Sequence, residues 1–547
     1  MKSFPAIAIL GCALSLSACV TTGTGRLSDA QCGIVVAAPS PAARSAIQDI
    51  LLKQRAGIPD PVAAFYESRK FAPAWSGDED AEESASAARA LLARAGEQGL
   101  RAEDYAFPND CGDAAKCDIA LTEAVLGYAH DVRVGRIAPK SVYEDVDLPA
   151  PSFDAAAALS QAISSHAVPD WLDALAPSHP EYVRLVQALA KYRDIADQGG
   201  WPALPGGKEI NPAGKDRGAK LLTQRLALED PILASLAKPT PAQIRDAVKR
   251  FQGRNGLGND GRVRDKTLAA LNVPASFRVA QIAANMERWR WLPAQFEDRA
   301  IAVNVPDQSL AFIADGQTVL HSRVVVGQKE SPTPILRTAV IAAVVNPPWN
   351  IPGDIAAKAL LPHLRRDPGY LASRHMVVID GPPGDPTGRT IKWRKIVPDE
   401  FPYAIRQLPG PATALGALML DSPNDFDVYL HDTPNKTLFN LDQREISNGC
   451  VRVQQIFPLA SLALSGDASQ SLRELTAARN SHQTQRLALD QPLPVYFLYW
   501  TALTDADGNA GFRPDLYGRD APLIAALARD EQPSPQASGA DGPKLGE

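Results

Sequence analysis

Tyr429-Leu430-His431-Asp432-Thr433-Pro434 and Ser447-Asn448-Gly449-Cys450-Val451-Arg452-Val453 are the two stretches on which the reading of this chain turns. The first is a strand end closed by a histidine. The second is a small-residue turn that delivers a cysteine to the start of another strand. A thiol attacks as its thiolate, and a cysteine of ordinary pKa, about 8.5, is mostly protonated at neutral pH. An imidazole within reach takes that proton, and a glycine-bearing turn lets backbone N–H groups approach a developing oxyanion. The pattern points to acyl transfer with Cys450 as nucleophile and His431 as base. Histidine precedes cysteine here, the reverse of the order in papain-like and NlpC-type peptidases.

Upstream of these stretches the hydrophobic period changes. After Ala300, Ile301, Val303 and Val305 alternate, Asp315-Gly316 marks a turn and Val324-Val325-Val326 follows, which predicts β-hairpins. Val340–Val345, Met376–Ile379, Asp427–Leu430 and Pro494–Leu503 read as further strands, with Asp507-Gly508 as a hairpin turn. Residues 298–520 are therefore expected to form a mostly-β domain. Residues 354–415, with a helical Ala356–Leu364, read as a partly helical insertion into it. Before Ala300 the period is helical. Thr240-Pro241-Ala242-Gln243 combines an N-cap, a first-turn proline and a capping-box glutamine, and Ile244, Val248 and Phe251 line one face. With Asn255-Gly256-Leu257, Asp260-Gly261 and Thr267-Leu268, residues 236–292 resemble a small three-helix peptidoglycan-binding domain. Residues 59–235 read as a helical scaffold, with helices over Ala87–Gly99, Ile119–Val134 and Tyr182–Gln198. The fold class is α+β multidomain, as 547 residues require more than one core.

A formal charge of −6 gives no footprint for nucleic acid. The eight histidines are scattered, so a metal site is not expected. Lys2 followed by the apolar run Phe4–Leu16 reads as a signal segment over residues 1–18. Leu16-Ser17-Ala18-Cys19 resembles a lipoprotein lipobox, which makes Cys19 the lipidated residue, residues 19–58 a tether and the periplasm, at the outer membrane, the expected location. Cleavage of an ordinary signal peptide after Ala18 is the alternative. Cys111 and Cys117 flank a short loop and read as either a local disulfide or two free thiols. Cys32 has no evident partner. Residues 530–547 read as a disordered tail.

The two active stretches together with Val324-Val325-Val326-Gly327, Pro332-Thr333-Pro334 and Asn346-Pro347-Pro348-Trp349 resemble the L,D-transpeptidase (YkuD) family, most closely its long YcbB-like branch. The likeness runs over residues 60–520. It implies a peptidoglycan L,D-transpeptidase in which Cys450 attacks the third residue of a tetrapeptide stem, releases D-alanine and passes the acyl group to another stem as a 3→3 crosslink. No cofactor is implied. Stem peptides, glycan strands and carbapenem-type inhibitors are the implied ligands. Tyr429 and the backbone N–H groups of Asn448, Gly449 and Cys450 become oxyanion-hole or substrate-orienting candidates. Ser447 is expected to bond within the loop. Arg452 is expected to make a loop-stabilising salt bridge, with a clamp on a substrate carboxylate as alternative, and Trp349 to wall the donor pocket or sit in the core. Many family members place histidine where Asn448 stands, so His431 would be the sole base. The same acyl-enzyme also fits an L,D-carboxypeptidase, D-amino-acid exchange or lipoprotein attachment. A non-catalytic anchor from outer membrane to peptidoglycan is the reading of a different class.

Overall fold

The computed structural model describes residues 41–53, 60–108, 111–464 and 467–529. The expected signal segment, Cys19, Cys32, most of the tether and the C-terminal tail lie outside these residues. Eight strands of the C-terminal half pair in a closed ring. Ile335–Val345 lies against Gln485–Leu498, then come Arg299–Asn304, Ser309–Ala314, Gln317–Gly327, Val451–Val453, Leu430–His431 and Leu418–Asp421, which pairs back onto Ile335–Val345. Closure leaves no free edge in the ring, the feature that otherwise makes β-sheets prone to add strands.

The alternation expected at Ile301, Val303 and Val305 is present but incomplete, because Ala300 and Ala302 are buried as well. Both faces of this part of the sheet are covered. Ile301 and Val303 meet Phe312, Val324, Val495 and Phe497 in one core, against the helix Ile456–Ala463. Ala300, Ala302, Tyr496 and Leu498 face the helices Pro180–Asp197 and Ala275–Arg290 through Leu185, Leu189, Ile282 and Met286. A strand packed on both faces loses the polar-out half of its pattern.

The insertion departs from a strand and returns to its ring neighbour. Ile335–Val345 leads through Asn346-Pro347-Pro348 into Trp349–Ile351, and the chain comes back at Leu418. Between them Trp349–Ile351, Ile405–Gln407 and Met376–Val378 form a separate three-stranded sheet. Its own core includes Leu361, Leu364, Leu371, Met376 and Trp393. The expected helix at Ala356–Leu364 is present, with Ala356–Leu360 wound as a π-helix. Asn346, at φ +49°, rivets the exit, its amide donating to the carbonyls of Ala478, Arg479 and Gln483 at 3.1 Å each.

In the N-terminal half, helices Asp60–Ser68, Glu79–Ala93, Ala114–Val134 and Ala155–Ser164 surround a common core. Cys111 and Cys117 are joined as a disulfide. The capping box at Thr240 is formed, Thr240 N donating to Gln243 Oε1 at 2.8 Å. Buried Gln252 organises the turn that follows, donating to Asp260 Oδ1 at 2.9 Å and accepting from Gly261 N at 2.7 Å. The core of this small module also takes in Leu204, Ile210, Leu222, Leu226 and Leu233 from ahead of residue 236. Its last helix, Ala275–Arg290, leaves that core and packs between Pro180–Asp197 and the β-domain.

A buried polar network fastens this helix to the β-domain. Arg288 donates to Asp520 Oδ1 at 2.7 Å and to the Tyr143 hydroxyl at 3.1 Å, and Thr501 Oγ1 donates to the same carboxylate at 2.9 Å. Arg288 and Asp520 are almost inaccessible to solvent. An ion pair in such a place does not owe its value to net stability, yet removing one partner strands the other charge. Asp520→Ala is expected to cost about 3–5 kcal/mol in a urea titration. An unchanged midpoint would show that water replaces the carboxylate.

Candidate functional site

One register decides which side chains meet. Leu430 pairs with Val451 and His431 with Arg452, in parallel. Leu430 and Val451 are both fully buried in the β-core. Side chains alternate along a strand, so Tyr429, His431, Cys450 and Arg452 all fall on the opposite face. The sequence-predicted nucleophile, base, hydroxyl and guanidinium are thereby gathered at one end of two short strands.

Cys450 is partly buried and is the free cysteine of the described residues. Its thiol donates to the Asp427 carbonyl at 3.5 Å. The Tyr429 hydroxyl engages both the Cys450 sulfur and the Trp349 indole. Trp349 is thus a half-exposed wall of the site and also flanks the insertion's core. Burial pushes the Cys450 thiol above its ordinary range, against the stabilising pull of Tyr429 and Arg452. Burial likewise raises the Tyr429 phenol.

His431 is buried and its Nδ1 has no hydrogen-bond partner. Burial and the nearby Arg452 charge lower its pKa to about 4, with the backbone at Asp432 and Leu415 pulling only weakly the other way. The imidazole is therefore neutral at physiological pH and holds a free acceptor. It makes no hydrogen bond to the thiol, whose proton goes to Asp427. The resting pair is a neutral thiol beside a neutral base, not a thiolate–imidazolium pair. Asp432 is held by Lys436 and by Ala417 N at 3.0 Å, which fixes the chain just beyond the histidine.

In the loop before Cys450, Ser447 Oγ donates to the Cys450 carbonyl at 2.6 Å. Of the three expected oxyanion donors, Gly449 N–H is committed to Ser447 Oγ at 3.3 Å. The N–H groups of Asn448 and Cys450 meet no acceptor among the described residues. The expected salt bridge of Arg452 is absent among the described residues, and its Nε is buried without a partner. Burial lowers its pKa, opposed by Cys450. The guanidinium stands unpaired beside the thiol because no carboxylate on neighbouring strands faces it.

Sequence reasoning gave neither Asp427 nor Thr333 a place in the site: it read Asp427 as the start of a strand, which begins only at Leu430, and Thr333 only within the stretch Pro332-Thr333-Pro334. Asp427 has φ +52° in a turn built by Asn424, whose Nδ2 donates to the carbonyls of Ser422 and Val428 at 2.7 Å each. Asn424 followed by Asp425 is a turn signal that could have located it. Thr333 accepts from Gly327 N at 2.9 Å and donates to the Gly449 carbonyl at 2.6 Å, a contact across the fold with no local signature. Among the described residues no three His, Cys, Asp or Glu side chains cluster as a metal site requires.

Comparison with known proteins agrees with this geometry. Residues 298–470 match the L,D-transpeptidase catalytic domain, YkuD, and residues 60–189 match a scaffold domain. A Haemophilus influenzae protein named "Putative L,D-transpeptidase" is 34% identical over 283 residues, 51% of this chain and 55% of that protein. The chain thus spans about half the length of the curated relative it matches.

The neutral resting pair has a measurable signature. Iodoacetamide alkylation of Cys450 is expected to rise about tenfold per pH unit through neutrality, with its midpoint above the ordinary thiol range. A rate plateau between pH 5 and 7, the mark of an imidazolium-stabilised thiolate on this about two-unit window, would refute the assignment.

Proposed function

We propose that this chain, which carries an L,D-transpeptidase catalytic domain of the YkuD family beside a scaffold domain, forms 3→3 peptidoglycan crosslinks through a Cys450 thioester. The observation that carries this reading is the gathering of Cys450, Tyr429, neutral His431 and unpaired Arg452 on one face of two parallel strands.

In the first half-reaction the thiol proton passes to His431 and the sulfur attacks the carbonyl carbon of the third stem residue. The tetrahedral oxyanion is received by the free N–H groups of Cys450 and Asn448, with the Tyr429 hydroxyl alongside the sulfur. Collapse breaks the C–N bond to D-alanine, which takes the proton from His431 as it leaves. In the second, a side-chain amine of another stem attacks the thioester, His431 accepts the amine proton, and the C–S bond breaks as the departing sulfur takes that proton back to become the thiol. A buried imidazole that resists protonation suits both steps, since it must begin each as a base. The unpaired Arg452 favours the clamp reading over the salt bridge: its charge is available to a carboxylate of the donor stem.

The insertion, a separately cored unit whose first strand carries Trp349, is suited to act as a lid over the acyl-enzyme. Excluding water there favours the amine over hydrolysis. The module around Thr240–Asn272 would hold glycan, and a lipid on Cys19 would place the enzyme at the periplasmic face of the outer membrane. Carbapenem-type β-lactams would acylate the same sulfur.

Incubation with disaccharide-tetrapeptide, followed by product analysis, tests the assignment. The expected products are free D-alanine and 3→3 dimers, both lost in Cys450→Ala. D-alanine without dimers would replace transpeptidation by carboxypeptidase activity, and neither product would leave the anchor reading. Arg452→Ala is expected to raise KM for the tetrapeptide about tenfold or more while its effect on kcat is smaller. Replacing residues 350–414 by a short glycine linker is expected to shift products from dimers toward hydrolysis. An unchanged ratio would remove the lid role.

A further inference from the structure

We infer that Thr333 is a positioning residue of the oxyanion hole: by fixing the Gly449 carbonyl it aims the Cys450 N–H at the reacting carbonyl. The inference rests on Cys450 as nucleophile, as proposed above, and adds the group that orients its peptide. A trans peptide holds its C=O and N–H in opposite directions, and the described residues contain no cis bond. The Gly449 oxygen is bound by Thr333 Oγ1 at 2.6 Å, inside the fold. The N–H on the other end of that plane belongs to Cys450, meets no acceptor among the described residues and must point away from Thr333. One buried hydrogen bond therefore sets the direction of the donor adjacent to the sulfur.

Thr333 is itself over-determined. Its hydroxyl oxygen also accepts from Gly327 N at 2.9 Å, so the hydroxyl proton has no other use than the Gly449 carbonyl. Prolines on both sides restrict its backbone. The Tyr517 hydroxyl accepts from Thr333 N at 3.3 Å and donates to the Gly327 carbonyl at 2.5 Å. A side chain at Gly327 would meet the Ser331 carbonyl at 2.3 Å and Thr333 N at 2.6 Å, so only glycine permits the approach. Gly449, at φ +108°, supplies the backbone freedom on the other side of the bond. The cost of such an arrangement is intelligible only if the orientation of the peptide matters.

The test separates attack that builds an oxyanion from attack that does not. Acylation of Cys450 by p-nitrophenyl acetate passes through a tetrahedral oxyanion, whereas alkylation by iodoacetamide needs only the thiolate. In Thr333→Val the acylation rate is expected to fall about 10- to 100-fold while alkylation changes less than about threefold. Thr333→Ser, which keeps the hydroxyl, is expected to restore acylation to within about fivefold. Thr333→Ala, which introduces no new bulk, serves the same comparison where the valine variant does not fold. Wild-type acylation in the valine or alanine variant would overturn the inference. So would a parallel fall of both reactions without rescue by serine, which would mean general support of the loop. The ester carries no stem peptide, so this result stands apart from the choice of crosslinking over any other acceptor.

Discussion

The parallel pairing of Leu430–His431 with Val451–Val453 is the constraint on which the site depends. Leu430 and Val451 belong to the core, and burying each contributes about 2 kcal/mol. That apolar pull fixes the register, and a slip by one residue would send His431 and Cys450 inward and two large aliphatics outward. The face that carries His431 and Cys450 is thus held by residues that point away from it. The ring closes around the same strands, so the hairpin order Gln317–Gly327, Val451–Val453, Leu430–His431, Leu418–Asp421 cannot rearrange without opening the barrel.

Electrostatics then sets how the site waits. Burial acts on both groups in the direction that removes charge, upward for the thiol and downward for the imidazole. Arg452 works against the first and with the second, since one positive charge favours a thiolate and disfavours an imidazolium. The balance is a thiol that stays protonated at rest, with Arg452 as the charge that eases its ionisation and burial as the effect that resists it.

Much of this was legible from the chain. The thiol and histidine announce themselves by the turn Ser447-Asn448-Gly449 and the strand end before Asp432, and the capping box at Thr240 is written in four consecutive residues. The strands after Ala300 were readable because side-chain alternation is a local signal. The concealed features are those made by contacts distant in sequence. The burial of Ala300 and Ala302 depends on two helices, one of them, Pro180–Asp197, more than a hundred residues upstream, so no local pattern announces it. The bond from Thr333 to Gly449 spans more than a hundred residues, and the stretch Pro332-Thr333-Pro334 carries a family likeness without recording what its threonine touches. The missing partner of Arg452 was equally invisible, because a strand sequence records charge but not what faces it. Sequence favoured a salt bridge there on general grounds, and the packing supplies no carboxylate.

The insertion joins two strands that are already neighbours in the ring, Ile335–Val345 and Leu418–Asp421. Topologically it occupies the place of a hairpin turn. The ends of the segment are held together by the ladder between Ala342–Val345 and Leu418–Asp421 whatever lies between them, and doubling such a loop costs only about 0.6 kcal/mol. The barrel is therefore indifferent to the size of what it carries at this point. Variation in length and composition between Asn346 and Leu418 is free to retune access to the sulfur across descendants of this fold, while the strands that present Cys450 and His431 stay unchanged.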